Sequence, residues 1–143
     1  MTKITFVNGT TPAINDTNLN QMQTNIENAI NNQAPVVLYN NSNGTTGTVT
    51  LSETSANFRM LEIFYSKGST VYQSVKVFSP NGKTVSLIAG YINNTSDAQI
   101  LIPRATISGT SITRANGGLI NFTNHFELIM NNEISIYAVV GYR

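Results

Sequence analysis

From Val36 onward, short apolar or alternating runs are interrupted at near-regular spacing by SNGTTG, PNGK, SGTS, ANGG and NNE. No other feature of the chain constrains its fold so strongly. Runs of four to ten residues are too short for a ladder of stable helices, and no helical pattern lies between them, so parallel βαβ units are excluded. Strands joined by turns pair antiparallel and bury one face, in a sandwich or a barrel. The runs read as strands over 36–39, 46–51, 58–65, 71–78, 84–92, 99–107, 110–114, 118–130 (broken near Asn124) and 133–142. Asn81-Gly82 supplies the positive φ angles for a hairpin joining Val71–Phe78 to Thr84–Ile92. A second hairpin closes at Ser108-Gly109 and offers Ile107 and Ile112 to one core. The fold class expected is mainly β: an antiparallel, jelly-roll-like β-sandwich over 36–143.

Ahead of this domain, residues 1–35 read differently. A short strand, Ile4 to Val7, is followed by the turn-like NGTTP, and Asp16 is placed to N-cap a helix running to about Asn32, before Pro35. Within that helix Leu19, Met22, Ile26 and Ala29 are spaced by three, four and three, with Ile30 widening the stripe. Asparagine is a weak helix former, so such a helix would be marginal by itself and needs a surface to lie on. Either it caps its own sandwich, or copies meet along the seam in a short bundle.

The strands carry a related signal. Arg59, Leu61, Ile63 and Tyr65 share one face of FRMLEIFY, yet Met60 and Phe64 are apolar on the other. In EISIYAVVGY, alternation puts Ile134, Ile136, Ala138 and Val140 together, opposite Tyr137 and Val139. Apolar residues on both faces imply a second covered face, supplied by another subunit or by the chain itself.

Composition limits the chemistry. The 143 residues suffice for one core, and the absence of cysteine excludes disulfides and thiolate sites. A net charge of +1, without a run of either sign, argues against nucleic acid or a membrane surface as partner. No apolar stretch is long enough to span a bilayer, and MTKITFVNGTTP lacks the apolar core of a secretory signal. Only 10% of residues are charged, against about 25% in typical domains. Asn, Thr and Ser together supply 50 of the 143 residues, so neutral hydrogen-bonding groups provide the solubility. Such a surface suits close packing in assemblies or contact with neutral sugars, although base composition of the gene produces the same bias.

No catalytic, metal or cofactor motif emerges. His125 is the only histidine and shares a strand face with Glu127, but no serine stands in a nucleophile elbow. No three metal ligands cluster, and the seven carboxylates show no paired glycosidase signature. P-loop, GxGxxG, HExxH and EF-hand patterns are absent, and the seven N-x-S/T sequons are close to what this composition yields by chance. Tyr39, Tyr72 and Tyr91 lie near strand ends or turns, where an aromatic ring with a polar tip can stack on a sugar, or pack in a sheet.

The stretch FVNGTTPAINDTNLNQMQTNIENAI resembles the N-terminal segment of bacteriophage tail-fibre, baseplate and head-fibre proteins, with Phe6, Asn8, Gly9, Thr11, Pro12, Ile14, Asn18, Leu19 and Asn20 at matching positions. LSETSANFRMLEIFYSKGSTVYQSVKVFSPNGKTVSL is similar to a β-domain of tail-associated proteins from phages of Gram-positive bacteria. Together the two cover about half of the chain. The resemblance implies a homotrimeric virion protein, made in the host cytoplasm and joined to other virion proteins through the N-terminal segment. It further implies adhesion to host cell-wall glycan as a tail-associated receptor-binding or accessory protein. A purely structural baseplate, head-fibre or capsid-decoration role is the alternative, and a secreted carbohydrate-binding module a more distant one. Shaft repeats are missing, which favours a compact knob over a full-length fibre. On this reading the protein releases no reducing sugar from wall polysaccharide; hydrolysis lost in Glu127→Gln would instead make His125 and Glu127 a catalytic pair.

Overall fold

The computed structural model describes residues 16–68, 71–94, 97–122, 126–129 and 134–143. The expected strand Ile4–Val7, together with Phe6, Asn8, Gly9, Pro12 and His125, lies outside them, as does the side chain of Glu127. The chain divides into two units between Ala34 and Pro35.

The first unit contains one helix, α1 (Asp16–Asn31). Asp16 lies in its first turn, where its carboxylate complements the positive end of the helix dipole. Weak propensity is offset by side-chain bonds one turn apart. Gln21 Nε2 donates to Asn25 Oδ1 at 3.1 Å, Gln23 Nε2 to Glu27 Oε1 at 2.8 Å, and Thr24 Oγ1 to the Asn20 carbonyl at 2.9 Å. The side-chain pairs are worth about 0.2–0.5 kcal/mol each, which supports a helix without anchoring it.

The second unit is a β-sandwich of two antiparallel sheets. Its strands are β1 (Val36–Thr45), β2 (Val49–Thr50), β3 (Met60–Lys67), β4 (Val71–Phe78), β5 (Thr84–Ser86), β6 (Ala89–Asn94), β7 (Asp97–Ser108), β8 (Ser111–Asn121), β9 (Phe126–Ile129) and β10 (Ile134–Tyr142). The first sheet has the order β1-β10-β3-β4. The second is centred on β7 and β8; β5 and β6 follow one another along the free side of β7, and β2 and β9 along that of β8. Leu38, Leu61, Ile63, Tyr65, Ile136 and Val139 from the first sheet meet Val49, Leu87, Leu101, Ala105, Ile107 and Ile112 from the second in one buried core. Arg114 is buried on the inner face of β8, where desolvation lowers its pKa.

Several local expectations change. The turn at Ser79–Lys83 does not close a hairpin: β4 pairs with β3, whereas β5 pairs with β7. The segment crosses between sheets. Ser79 N–H bonds the Arg59 carbonyl at 2.8 Å on one side, and Gly82 N–H bonds the Ile107 carbonyl at 2.8 Å on the other. The hairpin at Ser108 forms as expected, with Ile107 opposite Ile112 and Gly109 at φ +56° in a two-residue loop.

ANGG is not a turn but part of β8. Opposite Pro103 the register between β7 and β8 skips: Ile102 faces Gly118, whereas Arg104 faces Ala115. Asn116 and Gly117 therefore bulge opposite one proline. The same proline interrupts the far side of β7, where Leu87 N–H bonds the Pro103 carbonyl at 2.8 Å and splits the expected strand 84–92 into β5 and β6.

The phase of β10 also differs from simple alternation. Ile136 faces Tyr65 and Ala138 faces Phe64, so Tyr137 is an extra residue. Val139 is consequently buried with Ile134 and Ile136, and Ala138 and Val140 fall on the outer face. Two-sided apolarity is retained: Val37, Val140, Phe64, Met60 and Phe78 fall on the outer face through the pairs Val37–Val140, Ala138–Phe64 and Met60–Phe78.

A Cβ at Gly117 would lie 1.9 Å from the Ile102 carbonyl oxygen, which is backbone and cannot swing aside. Gly117→Ala is expected to destabilise by on the order of 3 kcal/mol, whereas Gly47→Ala, with nothing within 4 Å, stays near the wild type in denaturant melts.

Candidate functional site

Where β10 carries its extra residue, β1 carries a larger irregularity. Asn40 faces Ala138 and Thr45 faces Ile136, so 41–44 bulge opposite Tyr137. This segment is held by its own amide side chain. Asn41 Oδ1 accepts from the Asn43 N–H at 3.0 Å, and Asn41 Nδ2 donates to Thr45 Oγ1 at 3.2 Å, an Asx turn of the kind asparagine favours. Gly44 then sits at φ +69°, with its Cα hydrogens against Tyr137; a Cβ there would be 2.9 Å from Tyr137 Cζ and 2.7 Å from Ser135 Cβ. Tyr137 is fixed on two further sides. Its hydroxyl donates to the Gly68 carbonyl at 3.3 Å, and its ring meets Tyr72 edge to face, centroids 5.4 Å apart at 65°.

The register lines up Tyr72, Ser66 and Ser135 across β4, β3 and β10. Small side chains leave room for the two rings, and Ser66, which donates to the Gly68 carbonyl, has no exposed surface. Tyr72 remains 65% exposed beside it. The three tyrosines named as candidates for sugar stacking or sheet packing therefore occupy distinct settings. Tyr72 is open and backed by a second aromatic ring. Tyr91 is half-buried against the core, with Lys67 Nζ 5.3 Å from its ring centroid. Tyr39 is half-buried and its hydroxyl is bonded to Thr45 Oγ1.

Nothing local marks Gly44, Gly68 or the setting of Tyr137 in the sequence: SNGTTG has the composition of a separator, and strict alternation gives no sign that Tyr137 stands at a bulge. Further along the outer face, Glu62 accepts from Ser74 Oγ at 2.9 Å and from the Tyr142 hydroxyl at 3.0 Å. Both of its oxygens are thus engaged in cross-strand bonds.

At the opposite end of β3, a shallow depression of about 330 Å³ is bordered by Phe58, Arg59, Ser79 and Asn81. Asn81 Oδ1 accepts from Ser55 Oγ and from the Gly109 N–H, which ties the loops together, and Arg59 donates to the Arg143 carbonyl at 2.6 Å. Arg143 in turn bonds both oxygens of Glu53 at 2.8 and 2.9 Å. These groups are spent on holding loops.

No residue of α1 is buried, and Leu19, Met22, Ile26 and Ile30 are between 42% and 63% exposed, with Ala29 half-buried between them. Asn18 and Leu19 of the attachment phrase lie in its first turn. Among the described residues no group of three metal-ligating side chains is present, and no helix is long and apolar enough to cross a membrane. Comparison with protein-family models, with curated proteins and with solved structures finds no match.

Two phenols should titrate late. The hydrogen bond to Glu62 raises the Tyr142 pKa above its ordinary 10.0, and burial raises that of Tyr65. Folding favours the neutral phenol in both, so their contribution is complete below the unfolded value near 10 and fades as pH rises through the folded ones. Ultraviolet titration should show at least two of the six tyrosines ionising late, and Glu62→Gln should return Tyr142 toward 10.

Proposed function

We propose that this protein is a bacteriophage virion component that assembles as a homotrimer and adheres to host-surface glycan. Its N-terminal segment joins it to neighbouring virion proteins, and it performs no hydrolysis. The observation that carries the assembly is the bare seam of α1. Four large apolar side chains along one stripe of a sixteen-residue helix, none of them buried, make a surface that a soluble chain covers with something. Copies of the same helix are the cover that its spacing suits. The apolar outer face of the first sheet offers a second surface of the same kind, which subunits of a trimer can share.

Adhesion follows from the polar inventory. A surface rich in amide and hydroxyl groups and poor in charge matches sugar hydroxyls directly or through water. Sites that are individually weak become effective when three copies act together. The connections crossing between sheets, β1 to β2, β2 to β3, β4 to β5 and β9 to β10, support a jelly-roll-like wrapping of the sandwich.

Light scattering should return three times the 15.5 kDa chain mass at micromolar concentration. Leu19→Asn and Ile26→Asn should shift the population toward monomer, because each removes roughly 1.5–3 kcal/mol of burial per chain. A monomeric wild type overturns the trimer. Adhesion without ion pairs should also survive high salt, since little is available to screen.

A further inference from the structure

We infer that Tyr72 and Tyr137 form a stacking site for one neutral pyranose unit of a polysaccharide, an inference that rests on the adhesive reading above and locates its contact. An exposed tyrosine alone is an ordinary surface residue, and a pair of packed tyrosines alone is an ordinary cross-strand contact. This pair is unusual in being both. Tyr72 is 65% exposed on the edge strand β4, yet its ring is backed by a partner that cannot easily move. Tyr137 is held by Gly44, by the Gly68 carbonyl and by Tyr72 itself.

A binding ring held in this way loses little side-chain freedom when a ligand arrives, which is the main cost that weak sites must meet. The fixing is built into the fold. The Asx turn of Asn41 places Gly44, and a side chain at that glycine would collide with the Tyr137 ring. The irregular backbone at the only place where both β1 and β10 lose register thus serves to orient an aromatic pair.

The chemistry of the setting selects the ligand. A flat aromatic face and phenolic hydroxyls suit the C–H face and rim hydroxyls of a pyranose. Nearby, Gly68 contributes a carbonyl that already accepts from Ser66 and Tyr137. Lys67 Nζ lies 5.3 Å from the centroid of the Tyr91 ring, and the contacts that hold the tyrosine pair are all made to neutral groups. A nucleobase could also stack, but a strand of phosphates would need a basic track, and the chain carries a net charge of +1.

The test uses the full chain, labelled with ¹⁵N, titrated with galactose, glucose, rhamnose and N-acetylglucosamine, with pull-down on the corresponding insoluble polysaccharides in parallel. Binding to at least one is expected, with saturable amide shifts at Gly44, Gly68, Tyr72 and Tyr137. Tyr72→Ala should weaken it about tenfold, while Tyr72→Phe stays close to wild type. Tyr72 is exposed on an edge strand, so the alanine variant is expected to fold, and its amide spectrum reports whether it does. If Tyr72→Ala lowers the melting temperature but binds as well as wild type, the pair is only a cross-strand contact; the site is then wrong and adhesion stands. If the wild type binds none of the sugars or polysaccharides, both the site and the adhesive reading fall, and trimer assembly is judged by its own mass measurement.

Discussion

Strand phase is the constraint on which the rest of the structure depends. Side chains alternate with a period of two, so a single extra residue sends everything beyond it to the opposite face. The sandwich has neither disulfide nor cysteine with which to correct a misplaced strand. It closes only if the apolar residues of both sheets arrive on the inner faces together. Three local irregularities bring this about. A skip between Val37 and Tyr39 buries Leu38; the extra Tyr137 buries Val139; the proline-opposed bulge returns Gly117 and Leu119 to phase with Leu101. The cost of each is a few unpaired ladder positions, and the gain is a core that runs unbroken from Leu38 to Val139.

This explains which parts of the fold were legible in the sequence. The class, the two antiparallel layers and the hairpin at Ser108 follow from turn residues and apolar runs, because those signals are local. The partners of β4 and β5 do not. Ser-Pro-Asn-Gly-Lys reads as a hairpin, but what decides its geometry is distant: Arg59 and Ile107 accept from its backbone, and its Asn81 oxygen accepts from Gly109 N–H. Likewise ANGG has turn composition, yet it forms a bulge inside β8, opposite Pro103. Period-two counting placed Val139 outside for the same reason, since nothing within EISIYAVVGY announces the skip at Tyr137.

The helix shows the converse. Its apolar stripe is a matter of spacing alone, since each of its residues lies about one turn from the next. What covers the seam is not a local property. The side-chain bonds of Gln21, Gln23 and Thr24 decorate its polar side and contribute only tenths of a kcal/mol apiece. Burying Leu19, Met22, Ile26 and Ile30 would contribute several times more. The polar face makes the helix possible, and the apolar face determines whether it is stable, so helix formation and association are expected to be coupled.

The same economy appears in the abundance of asparagine. At Asn41 the side chain folds the backbone that presents Gly44 to Tyr137, and at Asn81 it joins three loops through one carbonyl oxygen. A charged residue could make few of these bonds without desolvation cost, and a hydroxyl is shorter and supplies only one donor. Neutral amides thus fix irregular backbone at two places in this chain, the register change at 41–44 and the crossing loop at Ser79–Lys83. The first of these is also where an aromatic side chain is turned outward without disturbing the core. The position of Tyr137 and Tyr72 beside the largest skip in the first sheet is thus a consequence of how the sandwich closes, and any surface recognition built there inherits its rigidity from the same amides.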